Sequence, residues 1–136
     1  MGFIAGGTGL TPCLQVIRCV LEGADASGDN TKLVLLFQNR KEEDVLLRDE
    51  LDKLAQQFKD RLTIIYYLSN ASTSTWGTGA KSDVEQRGYI NDAAVEKFLS
   101  PKNCQLVGIC GPSGFNDAMQ QLLSAAGHAK EAIYIW

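Results

Sequence analysis

Apolar residues fall along the chain in five short runs, at residues 3–5, 33–37, 62–68, 106–110 and 132–136, most of them rich in β-branched or aromatic side chains. Unbroken runs of this length suit strands buried on both faces, as in a parallel sheet. Between them the spacing turns helical. Thr11 is placed to cap a first helix with Pro12 at its first position, and Leu14, Ile17 and Leu21 follow on one stripe. A second helix opens near Glu42 and Glu43, whose charges suit a helix start, and carries Leu46, Leu47, Leu51 and Leu54. Asn91 caps a third, with Ala94, Val95 and Phe98 inward, and residues 115–125 form a fourth. The alternation predicts an α/β domain: a parallel five-stranded sheet with helices on both faces. Residues 69–88, polar and rich in serine and threonine with Gly77 and Gly79 among them, read as one long loop. A structureless connection of about 20 residues is unusual in a compact domain, so it is expected to be functional, mobile or both.

Composition narrows the classes. At 136 residues, 45% hydrophobic and 21% charged, the chain has ordinary globular composition, and residues 1–136 are expected to form one domain around one core. A net charge of -3 and a pI of about 5.1 leave no basic field for a nucleic acid partner. No apolar run approaches the roughly 18 residues that span a bilayer. Cys13, Cys19, Cys104 and Cys110 form no C-x-x-C pair, and His128 is the single histidine, so no metal site is predicted. The cysteines read as free buried thiols in a reducing, intracellular compartment. Met1-Gly2-Phe3-Ile4-Ala5 carries no signal-peptide pattern and meets a glycine cluster at once, so the chain reads as cut at a domain boundary.

That cluster, Gly6-Gly7-Thr8-Gly9-Leu10-Thr11-Pro12, joins a buried strand to a helix start. Glycines allow close approach of backbone to ligand, and a helix start offers unpaired N–H groups and the positive dipole end, so phosphate fits. A turn without a ligand can be glycine-rich as well. The G-x-G-x-x-G spacing is not met, because Thr11-Pro12 stands where the third glycine would fall. Cys110-Gly111-Pro112 ends another strand at the carboxyl edge, where α/β ligands bind. Taken alone, Cys110 is equally a small buried residue at a strand end.

The motifs G-G-T-G-L-T-P, F-Q-N-R-K-E-E-D-V-L-L-R-D-E-L and C-G-P-S-G-F, in that order across nearly the whole chain, resemble the ferredoxin-NADP reductase superfamily. More narrowly they are similar to its NADH-cytochrome b5 reductase and nitrate reductase branch. The resemblance implies a Rossmann-like, pyridine-nucleotide-binding domain that presents NAD(P)H for hydride transfer to FAD. The FAD is held by a β-barrel domain of the same parent chain, whose R-x-Y-S-type motif is absent from this sequence.

By the same resemblance Gly6, Gly7, Thr8 and Gly9 lie beside the pyrophosphate and the flavin–nicotinamide contact, with Thr11 and Pro12 fixing the helix behind them. Asn39 and Arg40 join the cofactor-binding set, and Asp44 lies near the adenosine ribose, where a carboxylate accepts ribose hydroxyls and repels a 2′-phosphate. This favours NAD(H) over NADP(H), although Arg40 and Lys41 could attract that phosphate, and on charge alone residues 41–44 read as a solvated helix start. Cys110 and Thr8 are the residues implied at the hydride-transfer site, with Gly111 and Pro112 beside the nicotinamide. The family often has Pro-Pro after Cys-Gly; here Pro112-Ser113-Gly114 changes that turn. Trp136 matches a terminal aromatic that stacks near flavin in several branches, or is a packed strand residue. Trp76 and Gly88-Tyr89 resemble a W and G-F-V pair, separated here by a polar insertion, with Tyr89 a core aromatic on the plainer reading. The parent is expected to be an NADH-dependent reductase, cytoplasmic or membrane-associated facing the cytosol, serving a haem protein as electron acceptor. The competing readings are a non-catalytic nucleotide-binding or regulatory module acting through a protein partner, and a receiver-type domain, which lacks its acidic pair at the first strand.

Overall fold

The structure, a computed structural model, describes residues 1–27, 29–71, 76–77 and 83–136. Its strands are β1 (Gly2–Gly6), β2 (Leu33–Asn39), β3 (Leu62–Leu68), β4 (Glu85–Arg87), β5 (Val107–Cys110) and β6 (Ile133–Ile135). Its α-helices are α1 (Leu10–Ser27), α2 (Arg48–Gln57), α3 (Asp92–Leu99) and α4 (Ser113–Ala125). The strands form one sheet in the order β4-β3-β2-β1-β5-β6, with every neighbouring pair parallel. Side chains alternate across it. Phe3, Ala5, Leu35, Phe37, Ile64 and Tyr66 meet α1 and α2 on one face, while Ile4, Leu36, Ile65, Val107 and Ile109 meet α3 and α4 on the other. The chain steps from β1 to β2, β3 and β4 in one direction, then returns to the far side of β1 for β5. That reversal opens a crevice at the carboxyl ends of β1 and β5.

The α/β class is as expected, but the sheet has six strands rather than five. The sixth, Glu85-Gln86-Arg87, lies inside the segment read as a loop and is polar throughout, so no apolar run marks it. It pairs with β3 from Tyr66↔Glu85 to Leu68↔Arg87. Side chains reinforce it: Arg48 Nη2 donates to Glu85 Oε1 at 2.8 Å, and Arg48 Nε reaches both Asp52 oxygens at 3.0 and 3.1 Å. Tyr66 OH donates to Asp52 Oδ1 at 2.8 Å, and the guanidinium stands 3.9 Å from the Tyr66 ring centroid and 5.0 Å from that of Trp76. Burial opposes the Arg48 charge, but the hydrogen bonds it donates to Glu85 and Asp52 outweigh this and hold the guanidinium above its ordinary pKa. Trp76 Nε1 donates to the Gln86 carbonyl at 3.0 Å. Of the predicted loop, residues 72–75 and 78–82, Gly79 included, lie outside the described residues.

Helix boundaries differ where backbone geometry decides. A 3-10 turn at Gly7–Gly9 runs straight into α1, so Thr11 and Pro12 are its second and third residues rather than cap and first position. Glu42–Asp44 form a separate 3-10 turn, and Leu47, at φ 54°, is left-handed, so a helix cannot run through it. The second helix therefore starts at Arg48, leaving Leu46 and Leu47 exposed. Asn91 caps α3 as predicted, its side chain accepting from Ala94 N–H at 3.0 Å; Phe98 is half-buried, and Leu99 takes the inward place.

Candidate functional site

The turn after β1 owes its glycines to two different constraints. Gly7 has a φ of 55°, where a β-carbon is costly, and no atom lies within 4 Å of where that carbon would stand. Gly9 is constrained by contact: a β-carbon there would lie 2.1 Å from the Cys110 carbonyl oxygen and 2.4 Å from its carbon. The start of α1 thus rests on the last peptide of β5, at the crevice. A helix start supplies unpaired N–H groups and a positive dipole end, the combination that receives phosphate. Phe115 packs across the same junction; a β-carbon on Gly6 would stand 3.1 Å from its ring and one on Gly111 2.4 Å.

A cavity of about 670 Å³ lies along this carboxyl edge. Its lining takes Gly6, Gly7 and Thr8 from the turn after β1, Pro112 and Phe115 from the start of α4, Gln38, Asn39, Arg40 and Ser69 from the ends of β2 and β3, and Glu43, Asp44, Leu46 and Tyr89 from the segments beyond them. Asn39 is 5% exposed, and neither its Oδ1 nor its Nδ2 has a hydrogen-bond partner among the described residues. Buried amides are ordinarily paired, so Asn39 is an unsatisfied polar group beside the cavity, with its amide atoms shielded from it in this conformation. Among the described residues, Arg40 is the single cation of the lining, against the carboxylates of Glu43 and Asp44. Asp44 Oδ2 accepts the Lys41 N–H at 3.1 Å, so one of its oxygens already caps its own turn.

Seven predicted residues, Gly6, Gly7, Thr8, Asn39, Arg40, Asp44 and Pro112, therefore meet around one cavity. Gly9, Cys110 and Gly111 pack directly behind its turns. Thr11 stands back on the helix, its Oγ1 donating to the Thr8 carbonyl at 2.8 Å, and Pro12 is half-buried beside it. Trp136 sits apart from the cavity, 42% exposed, with its ring over Gly108 and edge-on to Tyr134 at 5.1 Å. It is neither in the cavity nor enclosed in the core. The four thiols are not all buried: Cys13 and Cys104 are, Cys110 is half-buried and Cys19 is exposed. Burial, with Cys110 adding to it, pushes the Cys13 thiol up to about 12.

Sequence reasoning missed Gln38, Glu43, Leu46, Ser69 and Phe115 as lining residues and gave Tyr89 two readings, of which the core place fails, since the residue is 72% exposed. For Gln38 a signal existed, since a polar amide closing an apolar strand needs partners.

A parallel sheet with a glycine turn at its switch point, opening on a cavity over the carboxyl ends of the strands, defines a nucleotide-binding α/β domain. Residues 3–121 match the family model of the oxidoreductase NAD-binding domain. The chain belongs to that family, the NAD-binding domains of the ferredoxin-NADP reductase superfamily, and is similar to cytochrome b5 reductases and nitrate reductases within it. It is 42% identical to NADH-cytochrome b5 reductase 1 of Mycosarcoma maydis over 96% of this chain and 37% of that protein. It is 35% identical to nitrate reductase [NADPH] of Leptosphaeria maculans over 91% of this chain and 13% of that one. The crystal structure of the cytochrome b5 reductase domain of Ulva prolifera nitrate reductase superposes with a TM-score of 0.82 at 29% identity, over 99% of this chain and 47% of that one. The chain thus spans less than half the length of each of these relatives.

Proposed function

We propose that the chain holds NAD(P)H along the carboxyl edge of its sheet and, within a larger flavoprotein reductase, presents the nicotinamide to FAD. The observation that carries this reading is the cavity that runs from the glycine turn over the carboxyl ends of β2 and β3. The turn at Gly6, Gly7, Thr8 and Gly9, backed by Thr11 and Pro12, receives the pyrophosphate. Asn39, Arg40 and Asp44 take the adenosine half over β2 and β3. Thr8, Cys110, Gly111 and Pro112 take the nicotinamide half over β5. When bound, the nicotinamide supplies a hydride that flavin accepts, so the protein's share is alignment, and no general acid or nucleophile is required. Thr8 and Cys110, brought together because Gly9 rests on the Cys110 peptide, form the wall against which the ring is oriented. Trp136 and Tyr134 offer an exposed aromatic surface to the flavin-bearing partner. The parent works in a reducing compartment at or facing the cytosol. It passes electrons to a haem protein, a reading that the name of the cytochrome b5 reductase relatives supports.

Glu43 and Asp44 outnumber Arg40 and repel a 2′-phosphate, which favours NADH over NADPH. Calorimetry with each nucleotide tests this: NADH binds more tightly, and D44N narrows the difference. Equal affinities in the wild type refute the preference, and no heat with either nucleotide refutes the site. Mixing the chain with a separately expressed FAD domain of a relative adds the chemistry. NADH-dependent flavin bleaching supports the reductase, whereas tight nucleotide binding without bleaching makes the chain a non-catalytic module.

A further inference from the structure

Gln38, next to last in the buried strand β2, carries a primary amide, 8% exposed, at the edge where the cavity lies. Such a group is costly there unless paired. Its Oε1 accepts the Ile90 N–H at 2.9 Å, and its Nε2 stands 3.2 Å from the carbonyl oxygens of Gly88 and Asn39 and 3.4 Å from that of Tyr67. Two of these partners, Gly88 O and Ile90 N–H, flank Tyr89. Gly88 N–H adds a bond to the Leu68 carbonyl at 2.8 Å, and Gly88 holds φ at 96°. The backbone carrying Tyr89 is thus tied to the ends of both β2 and β3. Tyr89 itself, in contrast, is 72% exposed and lines the cavity, as does Leu46, 45% exposed. An aromatic ring on a pinned backbone loses little freedom on contact and offers a flat face to a heteroaromatic base.

We infer that Gln38 is a positioning residue for the adenine end of the nucleotide: it fixes the Gly88–Tyr89–Ile90 turn so that Tyr89 stands as the face on which the base stacks. Gln38 sets affinity for the adenosine half through Tyr89. This rests on the nucleotide reading above and adds a determinant to it.

The test is a chemical-shift titration of the 136-residue chain with AMP and with nicotinamide mononucleotide, in the wild type, Q38A, Y89A and the double variant. Removing one base–aromatic contact weakens AMP about tenfold, so Y89A and Q38A each show a loss of that order while nicotinamide mononucleotide keeps its affinity. Because Gln38 acts through Tyr89, the double variant binds AMP no more weakly than Y89A. The inference is overturned if Q38A binds AMP like the wild type, if the two losses multiply, or if both ligands weaken alike. Should Q38A not fold, Q38E, which can still accept from Ile90 but has no N–H for Gly88, takes its place with the same outcomes. A wild-type chain that binds neither NADH nor AMP overturns the nucleotide reading itself, whereas wild-type binding with unaffected variants overturns this inference alone.

Discussion

Replacing Gly9 with alanine places a methyl group 2.1 Å from the Cys110 carbonyl oxygen and 2.4 Å from its carbon. Non-bonded carbon contacts settle at about 3.5–4.0 Å, so the start of α1 and the end of β5 must part by more than about 1 Å. Neither partner can rotate aside, because both contacted atoms are backbone. Overpacking of a closed contact costs about 1–3 kcal/mol, and a backbone clash belongs at the upper end. In a domain of this size that lowers the melting temperature by about 10 °C. The same displacement moves the glycine turn away from Gly111 and Pro112, so nucleotide affinity falls with stability. Gly7 supplies the control. It meets no atom within 4 Å, and its left-handed φ of 55° is one that asparagine tolerates, so G7N melts close to the wild type. Scanning calorimetry of the three proteins decides. If G9A melted within about 2 °C of the wild type, a shift worth well under 1 kcal/mol, the helix would not rest on the strand as described.

Two further outcomes follow from the polar and thiol groups. Arg48→Met leaves the Glu85 carboxylate, with only 9% of its side chain exposed, without its cation; urea unfolding should show a loss of about 3 kcal/mol, and a wild-type midpoint would sink the claim that this pair holds β4. The Cys13 thiol ionises at about 12 in the folded protein against an ordinary 9.0, so the folded state binds this proton more tightly. Its contribution is therefore complete below pH 9 and is lost as pH rises towards 12, with a slope approaching about 1.4 kcal/mol per pH unit. Tyr66, raised by burial and by Asp52, adds a slope of the same sign above pH 10. Cys13→Ala should show a shallower alkaline decline in chemical unfolding, and an unchanged slope would refute the assignment.

Strands β1, β2, β3 and β5 were legible because each is a continuous apolar run, and burial on both faces requires that pattern. Strand β4 was not, because the Arg48–Glu85 pair and the ladder to β3 hold it rather than apolar burial. The leucines at 46, 47, 51 and 54 have helical spacing, yet the left-handed backbone at Leu47 divides them, and spacing carries no dihedral angle. In the site, Gly7 and Gly9 were visible as residue types, but their separate reasons were not. One is an angle; the other is a contact with a residue 101 positions later, Cys110. Whether Tyr89 faces the site or the core was not legible, because an aromatic beside a glycine gives no hint of which way its turn is tied, and the Gln38 amide that ties it lies in another strand.

The central place of β1 bears on the order in which the molecule assembles. Its neighbours are β2, which follows it closely, and β5, whose register joins Gly2 to Val107 across most of the chain. Contacts of such long sequence separation close slowly, after local helices and the β1–β2 ladder can form. The glycine turn emerges within the first ten residues, but the peptide it rests on arrives only at Cys110. A partly folded chain can hold the loop without its support. Ligand affinity should thus appear late in refolding, in a single kinetic phase, and its onset would time the closing of the β1–β5 pair.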